Sequence, residues 1–197
     1  MNSELRRISD NIVEAAIKAV LPDEAVKRAL NGIEFTGRVF LVAAGKAAWQ
    51  MANSAEKCLG DRIQKGVVIT KYNHVKGPIS DFTLVEAGHP IPDENSFSGT
   101  QAAIDLVSGL NSDDTVLFLL SGGGSALFEK PQISGEELSD ITGQLLACGA
   151  DIVEINTVRK RLSLVKGGKF AKICEPAKVF SIVLSDILGD PLDMIAS

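Results

Sequence analysis

Two glycine-containing loops and an acidic loop hold the residue types that bind phosphate and its metal ion. The first loop is Ala43–Ala48, in which Gly45 permits a tight turn and Lys46 lies where a helix begins. A lysine there faces the free backbone N–H groups of a helix N-terminus, which attract anions. A solvent-exposed lysine beside an ordinary turn is the simpler interpretation of this motif taken alone.

The second loop is Ser121–Leu127, with the sequence SGGGSAL. Its three consecutive glycines, Gly122, Gly123 and Gly124, are costly in backbone entropy. They make sense where the backbone approaches a ligand so closely that its N–H groups surround phosphate oxygens, and the hydroxyls of Ser121 and Ser125 add donors. The loop matches neither the dinucleotide fingerprint GxGxxG nor the P-loop GxxxxGK[ST]. We therefore predict an anion site of another kind here, in preference to a flexible loop.

The third loop is Leu184–Asp190, in which Asp186 and Asp190 can both face a cleft. Paired carboxylates near phosphates usually hold Mg²⁺, which prefers oxygen ligands and keeps several waters. The alternative is that Asp186 caps a helix and Asp190 is a turn residue.

A predicted helix between residues 154 and 166 separates polar from apolar side chains. Asn156 and Arg159 lie on its polar side and Lys166 at the edge of that side, opposite Ile155 and Val158. Arg159 can bind a carboxylate or a phosphate through two hydrogen bonds. A solvated charged face is the alternative interpretation.

His89 lies in the loop GHPIPDENS, which two prolines make rigid. The imidazole could contact a substrate or act as an acid or base. A structural histidine hydrogen-bonded within a turn explains the position equally well.

Alternation of apolar runs with helical periodicity predicts the elements that position these loops. The predicted strands are 38–44, 67–70, 82–88, 115–120 and 178–185, and the predicted helices are 5–19, 22–30, 47–59, 93–110, 135–149 and 154–166. This pattern predicts an α/β fold, with a mainly parallel sheet covered by helices on both faces and preceded by N-terminal helices. Ligands of such sheets bind at the carboxyl ends of the strands, where the three loops fall.

The composition excludes several classes of protein. A net charge of −5 argues against nucleic-acid and anionic-membrane partners. Three dispersed cysteines and two histidines are too few and too far apart for a disulfide framework or a zinc site. Because no apolar run approaches the about 20 residues of a membrane span, and the N-terminus has no signal-peptide core, we expect a cytoplasmic protein.

Five motifs in fixed order resemble the glycerate 2-kinase family, also called the MOFRL or TtuD-type family. They are VAAGKAA, GHPIPDENS, LLSGGGSAL, INTVRKRLSLVKGGK and LSDILGD, and the resemblance covers nearly the whole chain. It implies a Rossmann-like N-terminal domain and phosphorylation of D-glycerate on its 2-hydroxyl with ATP and Mg²⁺. It further implies that Lys46 is catalytic and that residues 121–125 help to form the nucleotide site.

The resemblance also implies a second α/β domain that closes the cleft and contributes a further catalytic arginine. We therefore expect residues 1–197 to be the N-terminal domain of a longer protein, truncated before its second domain. The sequence also leaves open whether two copies of the protein form a homodimer.

The remaining roles rest on chemistry and position. We expect Arg159 to act in catalysis, Gly45 to bind phosphate with the Ser121 loop, and Asp186 and Asp190 to hold the metal. His89, Asn156 and Lys166 are the expected substrate-binding residues. Two rival functions stay open: an NAD(P)H-dependent hydroxypyruvate reductase and a non-catalytic sugar-phosphate-binding protein. Against the reductase, this sequence lacks the fingerprint glycines of a dinucleotide site. It also has Thr70 and Lys71 at the end of the second predicted strand, where an acidic residue would bind the ribose.

Overall fold

The computed structural model describes residues 3–191 and 194–196, which form five strands and eight α-helices. The strands are β1 (Val39–Ala44), β2 (Ile63–Lys71), β3 (Thr83–Ala87), β4 (Thr115–Ser121) and β5 (Lys178–Leu184). The helices are α1 (Ser3–Val20), α2 (Pro22–Leu30), α3 (Ala48–Leu59), α4 (Glu94–Val107), α5 (Gly124–Leu127), α6 (Gly135–Ala147), α7 (Ile152–Leu162) and α8 (Lys169–Ile173). A short 3-10 turn, Gly60–Arg62, joins α3 to β2.

All strand pairs of the sheet are parallel, and the strand order is β3-β2-β1-β4-β5. The chain therefore moves outward from β1 to β3, then crosses back to add β4 on the other side of β1. This reversal creates a switch point between β1 and β4, where Ala44 pairs with Leu120. Open α/β sheets bind their ligands in the crevice at such a point.

Helices cover both faces of the sheet, which confirms the predicted α/β class. Alternate residues of β1 belong to two separate buried clusters, because successive strand side chains point to opposite faces. Phe40 and Val42 join the cluster that contains Leu127 of α5 and Phe170 of α8. The other cluster contains Leu41 of β1 together with α2 and α3 residues.

The largest differences from the sequence prediction are two boundaries and two additional short helices. β2 begins at Ile63 rather than at residue 67, and the short helices α5 and α8 were not predicted. α7 ends at Leu162, because the chain then pairs with residues 130–132: Leu164 donates to the carbonyl of Lys130, and Gln132 to that of Leu162. These backbone bonds replace the helical ones beyond Leu162.

The first helix has no buried residue along its whole length, so its apolar side chains lie at the surface. Among the described residues, no helix combines the length and the apolar composition that crossing a bilayer would require.

Asp114 forms an ion pair at the amino-terminal edge of the sheet. Its buried carboxylate accepts two hydrogen bonds from Arg38, at 2.9 and 2.7 Å, and one from the amide of Asn111 at 2.8 Å. The hydrogen bonds from Arg38 are the largest cause of a pKa of Asp114 below its usual value. The unfolded chain lacks these bonds, so the ionised form of Asp114 stabilises the fold.

Replacement of Asp114 by asparagine should lower the free energy of unfolding at pH 7 by about 1–3 kcal/mol, the usual cost of disrupting a buried charged hydrogen bond. Because the pKa of Asp114 is depressed in the folded state, its contribution is present above the unfolded pKa of about 4 and is lost as the pH falls through the folded value. Urea unfolding of both proteins should show the difference narrowing in acid. A difference that stays constant or widens below pH 4 would contradict this assignment.

Candidate functional site

The loops that follow β1 and β4 are in direct contact at the switch point. The amide of Lys46 donates to the carbonyl of Gly122 at 2.9 Å, and the amide of Ala47 donates to the hydroxyl of Ser121 at 3.0 Å. Gly45 lies so close to Ser121 that a Cβ at residue 45 would collide with that residue's hydroxyl and carbonyl. The sheet thus brings the two predicted phosphate loops to one border.

The same contacts correct one expectation about α3. We expected free backbone N–H groups beside Lys46, but the amides of Lys46, Ala47 and Ala48 all donate to acceptors of the protein itself. An anion near this helix would therefore meet the side chain of Lys46 rather than these three amides. The hydroxyl of Ser121, at the end of β4, thus accepts from an amide at the start of α3, the position where the dinucleotide folds bind an anion.

Two neighbouring side chains hold the backbone at Lys46 through the carbonyls of residues 45 and 46. The hydroxyl of Thr70, which is fully buried, donates to the carbonyl of Gly45 at 3.0 Å. His74 Nδ1 lies 3.0 Å from the carbonyl of Lys46. Because a carbonyl can only accept, this ring nitrogen carries the proton. The side chain of Lys46 is free to extend from a fixed backbone.

Asp186 faces Lys46 across the glycine run. The Lys46 amine lies 3.3 Å from Asp186 Oδ2, and the two side chains are 43% and 57% exposed. The Asp186 carboxylate also covers Gly122 so closely that a Cβ at residue 122 would collide with it. Both charges therefore border the glycine run and stay accessible to a ligand.

His89 lies on the other side of the run. A Cβ at Gly123 would come within 2.9 Å of His89 Cδ2 and 3.3 Å of Lys46 Cγ. Burial first, and then the positive charges of Lys46 and Lys71, lower the pKa of His89 below its ordinary value. Both effects favour the neutral form of the imidazole.

Gly124 and Ser125 begin the short helix α5. The carbonyls of Gly123 and Gly124 accept hydrogen bonds from residues 126–128, so the protein itself uses them. Arg159 Nη2 donates to the carbonyl of Ser125 at 3.0 Å, with its side chain 15% exposed. Arg159 thus contacts the carboxyl-terminal end of the glycine loop, a contact that the sequence did not predict.

The alternative interpretation, a solvated charged face, is wrong for Asn156 and Lys166, which are both buried. Asn156 is 6% exposed and Lys166 is 4% exposed. α7 ends before Ser163, so Lys166 follows a loop that carries its amine inward, where it donates to the carbonyls of Phe128 and Ala196. The substrate-binding role of these two residues stays a prediction.

Asp190 lies four residues beyond Asp186 in an exposed turn, where its φ is 48° and its amide donates to Ile187. Within residues 3–191 and 194–196, no three His, Cys, Asp or Glu side chains form a ready metal-binding group. Mg²⁺ is often held by only one or two carboxylates together with substrate phosphates, so Asp186 suits it as a partial ligand. The role of Asp190 stays a prediction.

Comparison with known proteins agrees with this geometry. Residues 8–197 match a sequence family described as a domain of unknown function, DUF4147. The chain belongs to this family. A D-glycerate 2-kinase of Thermotoga maritima is 57% identical over 195 residues, and a glycerate 2-kinase of Pyrococcus horikoshii is 43% identical over 207 residues. Each alignment covers 98% of this chain and 46% of the relative, so the chain spans about half the length of these curated relatives.

Solved structures give the same result for the DUF4147 fold. The crystal structure of the Thermotoga maritima glycerate kinase matches 98% of this chain and 47% of its own, with a TM-score of 0.91 and 56% identity. A Pyrococcus horikoshii protein matches with a TM-score of 0.85 and 43% identity, over 98% of this chain and 46% of its own. The resemblance to the N-terminal domain of glycerate 2-kinases is thereby confirmed, as is the Rossmann-like fold.

Sequence reasoning missed three supporting residues. The sequence indicates Thr70 only as evidence against a reductase, and no motif points to a role for His74 or Glu129. The signal for Glu129 was available: a carboxylate directly after the apolar residues of α5 must either reach solvent or find a cation.

Proposed function

We propose that the complete gene product transfers a phosphoryl group from ATP to the 2-hydroxyl of D-glycerate, giving 2-phosphoglycerate, and that this chain supplies its N-terminal domain. The observation that carries the proposal is the meeting of the Gly45–Lys46 turn and the glycine run at the switch point, with Lys46 and Asp186 beside them. The relatives named glycerate 2-kinase support the same reaction.

The glycine run is the proposed seat of the ATP phosphates. Its carbonyls at Gly122, Gly123 and Gly124 accept bonds from the protein, which favours the amide side of the turn as the side that meets phosphate oxygens. Lys46 adds a positive charge at the same place. Phosphoryl transfer depends on positioning and on neutralising charge, with little covalent work for the protein.

Asp186 is the proposed ligand of Mg²⁺, with Asp190 as a second candidate. The fit rests on an exposed carboxylate that covers Gly122. When bound, the metal would neutralise charge on the phosphates. Displacement of Lys46 from its pair with Asp186 would free the lysine amine for the transferring phosphoryl group.

His89 and Arg159 are proposed to serve the glycerate. Burial lowers the pKa of the His89 imidazole and so favours its unprotonated form, which can accept the proton of the 2-hydroxyl as the phosphoryl group arrives. Arg159 is proposed to bind the glycerate carboxylate with the guanidinium nitrogen atoms that do not contact Ser125.

The rival activity is supported by two relatives, both putative hydroxypyruvate reductases of Agrobacterium vitis, which are 38% identical over 194 residues and 42% identical over 164 residues. Against it stands the start of α3, where Ser121 occupies the amide that a dinucleotide pyrophosphate would need. At the end of β2, Thr70 is buried against Gly45, and no carboxylate of β2 stands there to bind a ribose.

Two assays of the complete gene product separate these functions. The kinase proposal expects ADP formation that depends on both D-glycerate and Mg²⁺, with 2-phosphoglycerate as the product. Oxidation of NADPH by hydroxypyruvate without ADP formation would overturn it in favour of the reductase. Binding of glycerate or its phosphate with neither turnover would favour a non-catalytic binding protein.

A further inference from the structure

A buried carboxylate lies behind the glycine loop, outside the groups proposed to touch ligands. Glu129 is fully buried two residues after the end of α5. Its Oε2 atom lies 3.7 Å from the Lys166 amine and 3.9 Å from Arg159 Nη2. Neither carboxylate oxygen has a hydrogen-bond partner among the described residues. Glu129 is thus held by charge rather than by direct hydrogen bonds.

A carboxylate this deeply buried is costly unless cations compensate for it, and two buried cations need a carboxylate for the same reason. Burial lowers the pKa of Lys166 to about 8, and the negative charge of Glu129 opposes that shift. Attraction at 3.7–3.9 Å is far stronger inside a protein than in water. The three side chains therefore depend on one another for their charge.

The group is connected to the phosphate loop by Arg159. The same guanidinium atom, Nη2, lies 3.9 Å from Glu129 Oε2 and donates to the carbonyl of Ser125, in α5, at 3.0 Å. The helix α5 begins directly after Gly123, which lies against His89 and Lys46. A displacement of Arg159 would consequently change the position of the backbone at the end of the glycine run.

We propose that Glu129 is a positioning residue, whose carboxylate holds Arg159 against the Ser125 carbonyl and so fixes the carboxyl-terminal half of the glycine loop. The kinetic consequences rest on the proposed kinase function, whereas the structural consequence does not. Glu129 itself touches neither substrate nor nucleotide.

The decisive measurement is hydrogen exchange of residues 121–128 in the complete gene product. Glu129→Gln keeps the shape of the side chain but removes its charge, so exchange of this segment should become about tenfold faster, which corresponds to a local loosening. Asp114→Asn is the matched control, because it neutralises a buried carboxylate paired with an arginine at the opposite edge of the sheet. Because the control destabilises the whole fold, its exchange at residues 121–128 should rise no more than that of the central strands, whereas the increase in Glu129→Gln should be confined to residues 121–128. Equal exchange in wild type and Glu129→Gln would overturn the proposal.

A second variant covers the case in which Glu129→Gln does not fold. Glu129→Asp keeps the charge and shortens the side chain by one methylene group. In this variant, residues 121–128 should exchange faster than in the wild type but less than tenfold faster, because the shorter carboxylate still pairs with Arg159. Wild-type exchange in the aspartate variant, if the glutamine variant is unfolded, would mean that Glu129 serves only the stability of the core and would overturn the proposal.

Kinetics test how the effect is transmitted. Glu129→Gln should lower kcat/KM by about 10–100-fold, the scale expected when a binding group is displaced by around 1 Å. In the background of Arg159→Ala the same change should have almost no further effect, because Glu129 acts through Arg159. Additive losses would overturn transmission through Arg159. A wild-type protein without kinase turnover would refute the proposed function alone and leave the exchange result to decide on Glu129.

Discussion

Replacement of Lys46 by alanine should lower kcat of the complete gene product by about 10²–10³, the usual loss when one preorganised charge at a reacting centre is removed. The side chain of Lys46 lies beside Gly123, and its amine is accessible. Charge on the transferring phosphoryl group would lose that compensation in the transition state. Initial rates of ADP formation at saturating D-glycerate and ATP measure the effect.

The fold should tolerate this change. The structural contacts of Lys46 are made by its backbone, which donates to Gly122 and accepts from His74, and alanine keeps both. The ion pair with Asp186 is exposed on both sides, and such pairs contribute about 0–1 kcal/mol. The melting temperature should therefore stay close to that of the wild type.

Lys57→Ala is the matched control for Lys46, since Lys57 is an exposed lysine in the last turn of the same helix, α3. This variant should retain wild-type turnover. If Lys46→Ala turned over as fast as Lys57→Ala, Lys46 would have no place in the mechanism.

Replacement of Gly122 by alanine should lower kcat/KM by about 100-fold, the cost of misplacing a catalytic group by around 1 Å. The new methyl group would occupy the position of the Asp186 carboxylate, which would have to move away from Lys46. Because Asp186 is an exposed side chain in the loop that follows β5, it can move without disturbing the core. Activity should therefore fall much more than stability, which parallel kinetics and thermal unfolding would show.

Gly143→Ala is the control for Gly122. A Cβ at Gly143 meets nothing within 4 Å, and the residue lies inside α6. The variant should be active and slightly more stable, by about 0.5–1 kcal/mol, because alanine is the better helix former. Wild-type activity in Gly122→Ala would show that the place of Asp186 is unimportant for the reaction.

The fold could be predicted from the sequence because its strong signals agree with one another. The apolar runs of β1 and β4 have no polar interruption, and such runs are typical of strands covered on both faces. Asp93 caps α4 through the bond that its side chain accepts from Ser96, as an acidic residue before a helix predicts. Local chemistry and tertiary packing favour the same elements at these places.

The failures occurred where tertiary contacts override local preference. Helical periodicity continues through Ser163 and Val165, yet pairing with residues 130–132 ends α7 at Leu162. The resulting loop turns Lys166 inward toward Glu129, a contact across 37 residues that no local pattern encodes. The same holds for the site. Lys46 and the glycine run were predictable as motifs, whereas the hydrogen bond from the Ala47 amide to the Ser121 hydroxyl was not.

That hydroxyl has a consequence for movement. Because Ala47 is bonded to Ser121 and Gly45 has no room for even a methyl group, the ends of β1 and β4 cannot slide past each other or separate without breaking this junction. The floor of the crevice is therefore rigid before any ligand arrives. Opening and closing around a substrate must be carried by flanking parts, such as the His89 loop and the loop that carries Asp186, whose side chains lie against Gly123 and Gly122.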